Sequence, residues 1–217
     1  MRHIHARGLA LTLVATVAGL VSRPGEGASP PGRTATAART RIAAPGGRID
    51  VILVLGQSNA TGYQFDRATG YPVDPAVLAW NGTRLVTYAP NAATGVESGK
   101  PAGYWAAELA YALRYRSAHP ASRLAVLRYT AAGTQLGCSG DAVPDWSTRS
   151  RGELLDGARA FVRTGLAALR ARGYAPRLRL VWWQQGEADA TAALAPGYRA
   201  DLAALVGALR DAGGDFA

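Results

Sequence analysis

The 217-residue chain is poor in the side chains that most often carry chemistry. It has one cysteine, Cys138, so no disulfide can close within it. In an exported chain that leaves a free thiol, an intermolecular link, or half of a pair whose partner lies elsewhere. There are only three histidines: His3, His5 and His119. No Gly-x-Gly-x-x-Gly run follows any strand-like segment, which argues against a dinucleotide or phosphate loop. No internal repeat is present, and no arginine-aromatic run of the kind that binds RNA. The formal charge of +9 is misleading, because residues 1–48 hold seven arginines against one glutamate and so carry +6 of it. From Ile49 onward sixteen arginines and one lysine face fourteen acids, a balance of only +3. No nucleic-acid partner is expected.

What is present begins with a targeting pattern. Arg2 and Arg7 precede an apolar stretch from Leu9 to Val21, too short to span a bilayer comfortably, and small residues follow at Gly27-Ala28-Ser29. Residues 1–28 are expected to be an export signal, in preference to a short membrane anchor that is never cleaved, and the product to be secreted or periplasmic, with no stable membrane association once the signal is cleaved. Residues 29–48 are rich in Pro, Gly, Ala, Thr and Arg. They lack the apolar surface needed to offset ordering entropy, so a flexible linker is expected. One domain of ordinary size, residues 49–217, remains.

Strand and helix patterns alternate through that domain. Ile49–Leu55 (IDVILVL), Leu124–Tyr129 (LAVLRY) and Leu178–Trp183 (LRLVWW) are short runs with the composition of strands buried on both faces. Between and after them lie helical patterns over Trp105–Tyr115, over Glu153–Arg172, and from Pro196 onward with Tyr198, Leu202, Leu205 and Leu209 on one face. This order predicts an α/β fold with parallel strands, right-handed crossovers and helices on both faces.

In such a sheet ligands bind where the strands end. The three strand-like runs lead into Gly56-Gln57-Ser58-Asn59, Ala131-Ala132-Gly133-Thr134 and Gln184-Gln185-Gly186-Glu187-Ala188-Asp189. Ser58 offers a hydroxyl, Gly133 a closely approachable backbone N–H, and Gln185 an amide donor. Together they make a nucleophile with an oxyanion hole. Ser58 read alone is equally a helix N-cap; the convergence of three such loops favours the nucleophile. Glu187 and Asp189 also read as a solvated turn or a helix cap. Trp182 and Trp183 read as sheet-face packing. Trp80 and Trp146 fall outside the strand-like runs and are the better candidates for stacking on a sugar.

The three segments, GQSNA, AGTQL with Trp146 downstream, and QGEAD, resemble the motifs of the SGNH hydrolase superfamily. The closest branch is the sialate O-acetylesterase-like group, with the acetylxylan esterases of carbohydrate esterase family six. The resemblance runs from Ile49 to the end. It implies a three-layer, flavodoxin-like sandwich and removal of acetyl groups from an acetylated carbohydrate, with no metal or cofactor. It implies Ser58 as nucleophile and first oxyanion donor, Gly133 and Gln185 as the other donors, and Gln57 and Asn59 as braces of the nucleophile turn. Glu187 and Asp189 complete the third motif and hold that loop, or Glu187 orients the catalytic histidine.

That histidine is where the chain departs from the family. The general base belongs to a C-terminal Asp-x-x-His motif that is not in this sequence. His119 precedes Pro120 at the entry to the second strand. It is therefore separated from Gly133 by a strand of roughly 20 Å, at about 3.3 Å per residue, whereas proton transfer needs about 3 Å or one bridging water. Two accounts remain open. In one, these residues are the N-terminal part of an esterase whose last strands and base are missing from the chain. In the other, the protein binds acetylated glycans without cleaving them.

Overall fold

Apolar side chains alternate along the first strand. Ile49, Val51, Leu53 and Leu55 join one core cluster and Ile52 and Val54 the other, and all are buried. A strand with no polar face must be covered on both sides, and this one is central. The computed structural model describes residues 46–63, 71–90, 92–97, 100–140 and 143–211. The expected export signal over 1–28 and nearly all of the expected linker over 29–48 lie outside these residues. In chain order the elements are β1 (Arg48–Gly56), α1 (Ser58–Thr61), β2 (Val77–Trp80), β3 (Leu85–Thr87), β4 (Gly95–Glu97), β5 (Lys100–Ala102), α2 (Ala107–Ala118), β6 (Arg123–Thr130), α3 (Leu154–Ala171), β7 (Ala175–Gln184) and α4 (Tyr198–Asp211).

The strands among the described residues form one sheet, with the order β3-β2-β6-β1-β7. β6 and β7 flank β1 in parallel, and β2 runs parallel to β6. β4 also pairs in parallel with the last residues of β6, while β3 and β5 are antiparallel to β2 and β4. One face carries α3 and α4 through Leu155, Phe161, Leu166, Leu205 and Leu209. The other carries α1 and α2 through Ala60, Leu109 and Ala112. The result is a mostly parallel α/β three-layer sandwich.

The three long strands and the three long helices match the sequence expectation in type and order. Helix α4 starts at Tyr198 rather than at Pro196, because a turn over Leu194–Gly197 precedes it. The four short strands β2–β5 were not expected. Their clearest sign is Asn81-Gly82 between two apolar runs, a hairpin signal. Asn81 Oδ1 accepts from the backbone N–H groups of Thr83 and Arg84, and Gly82 adopts φ +92°, closing the β2–β3 turn.

Candidate active site

The register of the sheet decides where the motifs meet. Gly56, the last residue of β1, lies opposite Thr130 on one side and Gln184 on the other. The three strands therefore end level, and the loops that follow them emerge at one rim. Gly56 has φ +137°, and a Cβ there would overlap the Gln184 carbonyl. Only glycine fits, so β1 and β7 close tightly just before the serine.

The chain then turns at once into α1. Gln57 occupies the N-cap position, but its side chain makes no capping hydrogen bond. Instead its Oε1 accepts from Gln185 Nε2 at 3.2 Å and from the Ala188 N–H at 3.3 Å, both in the loop after β7. On the other side of Ser58, Asn59 Nδ2 donates to Glu187 Oε1 in the same loop. The two amides that flank Ser58 are thus tethers, and both reach the third motif. Ser58 is the first residue of α1 and not its cap, which corrects the N-cap alternative. Its side chain is half-buried, and among the described residues its Oγ has no hydrogen-bond partner. As the first helical residue it also has an N–H with no acceptor inside the helix.

Gly133 follows β6 on the exposed rim with φ +71°. A Cβ there would meet nothing within 4 Å. The glycine is required by the left-handed backbone rather than by crowding, and the space in front of it is open. The next residue anchors the loop: the Thr134 hydroxyl donates to the Ala131 carbonyl (2.7 Å) and accepts from Trp146 Nε1 (3.0 Å). Trp146 is fully buried beneath the loop, and Trp80 is buried within β2. Neither can stack on a sugar, which corrects that expectation. Trp183 packs in the sheet core and Trp182 against its other face, as expected.

Asp189 joins the second and third loops. It is 2% exposed and accepts from the Leu136 N–H (2.8 Å), the Gly137 N–H (3.0 Å) and Gln185 Nε2 (2.5 Å). Gln185 Nε2 donates further to the Thr134 carbonyl (3.0 Å) and to Gln57 Oε1. The two hydrogens of this buried amide already face three acceptors. In this arrangement Gln185 ties the three loops together and has no hydrogen left for an oxyanion, unlike the role the motif implied. Glu187 is exposed and holds Asn59, so the two carboxylates of the loop do different work.

Removing the Asp189 carboxylate strands buried donors, each costing about 1–3 kcal/mol. Asp189→Ala is expected to cost on the order of 3 kcal/mol and to lower the melting temperature by roughly 6–12 °C. Thermal melting followed by circular dichroism checks this. A shift of about 2 °C or less would mean that the loops are not held through this group.

Sequence reasoning placed Tyr198 on a helix face and in the family's tail pattern with Leu202, Leu205 and Arg210, but gave it no role in the site. Its hydroxyl donates to the Gln185 carbonyl at 2.7 Å and accepts from Trp183 Nε1 at 3.2 Å. Burial raises its pKa most; the Trp183 hydrogen bond opposes this and the nearby Asp189 and Glu187 add to it. The phenol stays protonated and clamps the third loop from α4. The signal available was its place at the start of an amphipathic helix, directly after the QGEAD loop.

The chain shares its fold with NanS. The likeness to the NanS crystal structure has a TM-score of 0.54 at 15% identity, and covers 79% of this chain and 63% of that one. The chain therefore spans a little under two thirds of NanS. An Arabidopsis thaliana protein of known structure matches with a TM-score of 0.57 at 17% identity over 76% of this chain and 69% of that one. The chain matches no protein-family model and no curated protein. At these identities the likeness is one of architecture, a three-layer α/β sandwich, and the site must be argued from its own residues.

His119 stands apart from the site. It follows α2 at its C-cap and is exposed, with its ring 4.6 Å from that of Tyr115. β6 begins at Arg123 and ends at Thr130 beside Gly56. His119 therefore lies at the far end of a strand about 26 Å long, at ~3.3 Å per residue. No histidine among the described residues accompanies Ser58.

Proposed function

We propose that this chain carries the nucleophile and oxyanion elements of a serine esterase that removes acetyl groups from carbohydrate hydroxyls, in the manner of the sialate O-acetylesterases and acetylxylan esterases its motifs resemble. The observation that carries the reading is Ser58. A hydroxyl without a hydrogen-bond partner among the described residues is held at the strand-end rim by tethers on both sides, at the same rim as an open glycine loop. In the reaction Ser58 Oγ attacks the acetyl carbonyl and loses its proton to a general base. The oxyanion is held by the N–H groups of Ser58 and Gly133, the sugar oxygen leaves with a proton, and water hydrolyses the acyl-enzyme. Gln57, Asn59, Gln185, Glu187 and Asp189 hold these donors in place. No histidine among the described residues is placed to act as that base. With the export signal expected over residues 1–28, the substrate is met outside the cytoplasm.

Two exposed aromatic rings lie close in sequence to α1. Tyr63 is 39% exposed and meets Tyr104 edge to face at 4.6 Å; Tyr71 is 37% exposed. We assign them to the sugar ring in place of Trp80 and Trp146. Tyr63→Ala is expected to raise KM for acetylated xylan severalfold, since an aromatic contact is worth about 0.5–1.5 kcal/mol. Hydrolysis of a small aryl acetate, which has no sugar ring, should be unchanged. Equal effects on both substrates would remove Tyr63 from sugar recognition.

A second reading is a glycan-binding protein that does not cleave its ligand. The position of His119 favours it, because Ser58 has no base among the described residues. The reading frame beyond the codon for Ala217 separates the two: continuation to Asp-x-x-His supports the esterase, and a stop supports the binding protein. The direct functional test is activity of the product of the complete frame on acetylated xylan, acetylated sialic acid and an aryl acetate.

A further inference from the structure

A charged network lies beneath the nucleophile turn. Arg128, in β6, is fully buried, and so is Glu108 in the first turn of α2. Arg128 Nη1 donates to the Thr61 carbonyl at 2.6 Å and lies 3.7 Å from Glu108 Oε1. Glu108 Oε1 also accepts from the Tyr88 hydroxyl and from the Ala106 N–H (3.3 Å). Burial first, then the Glu108 charge and hydrogen bond, raise the Tyr88 pKa well above its usual value against the opposing pull of Arg128, so the phenol remains a donor. β4 leaves room for the guanidinium only through Gly95, where a Cβ would press on Arg128 Nε.

This arrangement is a costly way to stabilise a fold. A buried ion pair gives up its hydration, and apolar side chains of the same shape commonly hold a core as well or better. Its placement suggests another use. Thr61 is the last residue of α1, a helix of a single turn, too short to persist on its own. Its carbonyl has no partner inside the helix. Arg128 supplies one, and the Thr61 hydroxyl bonds Thr130 Oγ1 at 2.8 Å beside it. Gln57 and Asn59 fix the start of the turn; Arg128 and Thr130 fix its end.

We propose that Arg128 is a positioning residue. Its guanidinium, oriented by Glu108 and through it by Tyr88, grips the carbonyl end of α1 and so fixes the direction in which Ser58, three residues earlier, presents its hydroxyl. The proposal rests on Ser58 being the nucleophile, but one of its tests does not.

The variant is Arg128→Lys in the complete protein, which keeps a positive charge beside Glu108 but loses the planar guanidinium whose Nη1 meets both Glu108 and the Thr61 carbonyl. Amide hydrogen exchange is compared at Thr61 and Gly62, whose N–H groups bond Gln57 O and Ser58 O, and at Leu53 and Leu127 in the core strands. The expected result is at least tenfold faster exchange at Thr61 and Gly62 with Leu53 and Leu127 unchanged. For an aryl acetate, kcat should fall at least tenfold with KM unchanged. If Arg128→Lys does not fold, Arg128→Met with Glu108→Leu removes both charges and answers the same questions. Wild-type exchange at Thr61 and Gly62, wild-type kcat, or loss of protection throughout the sheet in both variants overturns the proposal. If the unsubstituted protein hydrolyses no acetate, the esterase reading fails, and the exchange result still decides whether Arg128 holds α1.

Discussion

Ser58→Ala is expected to abolish ester hydrolysis by the complete protein while leaving its melting temperature within about 1–2 °C of wild type. Both halves follow from the surroundings of the side chain. Ser58 Oγ has no hydrogen-bond partner among the described residues and is only half-buried. Its removal leaves no orphaned group, and substitutions of that kind usually change stability by no more than about 0.5 kcal/mol. A capping serine would behave differently, costing about 1 kcal/mol or more. Catalysis has no second route, since loss of a serine nucleophile costs on the order of a millionfold in a comparable triad enzyme. Steady-state hydrolysis of an aryl acetate and of acetylated xylan, with a melt of the same sample, gives both numbers. Wild-type rates in the alanine variant would end the assignment.

The 217-residue chain by itself is expected to hydrolyse sugar acetates at no measurable rate. A serine hydroxyl is a weak nucleophile until a base takes its proton, and loss of the base also costs about a millionfold. His119 is the one histidine among the described residues, and it lies at the opposite end of β6 from the rim. The oxyanion donors alone should leave a residual rate over water too small to distinguish from background. Release of acetate from acetylated xylan over hours, against a Ser58→Ala control, tests this. Strong, Ser58-dependent turnover would mean that a base reaches Ser58 from another copy or from residues 1–45.

Much of this site is legible in the amino-acid order alone. Ile49–Leu55 runs unbroken into Gly56-Gln57-Ser58-Asn59, and a strand buried on both faces has to end at a rim where such a loop is presented. The level ending of β1, β6 and β7 follows from parallel pairing. What is not legible depends on neighbours distant along the chain. Glu187 and Asp189 are two acids of one loop, indistinguishable by spacing. One is exposed and holds Asn59, while the other is buried under two backbone N–H groups from the loop after β6. Gln185 reads as a free amide donor until Asp189, Thr134 and Gln57 are placed around it. Trp146 reads as a loop aromatic, yet it is the plug on which that loop rests. Arg128 is a lone charge in an apolar strand, which is a visible anomaly; its partner Glu108 is twenty residues away on a helix. The β2–β3 hairpin has its own local signal at Asn81-Gly82.

The claim on which the rest depends is that Ser58 becomes covalently acylated. Acid-quenching the complete protein during turnover of an aryl acetate, then mapping its peptides by mass spectrometry, tests that claim directly. The account predicts an acetyl group on Ser58 in the wild-type protein and none on Asn59, Thr61 or any other residue of that peptide. Turnover with Ser58 unmodified, or with the acetyl group carried by a different residue, would contradict it.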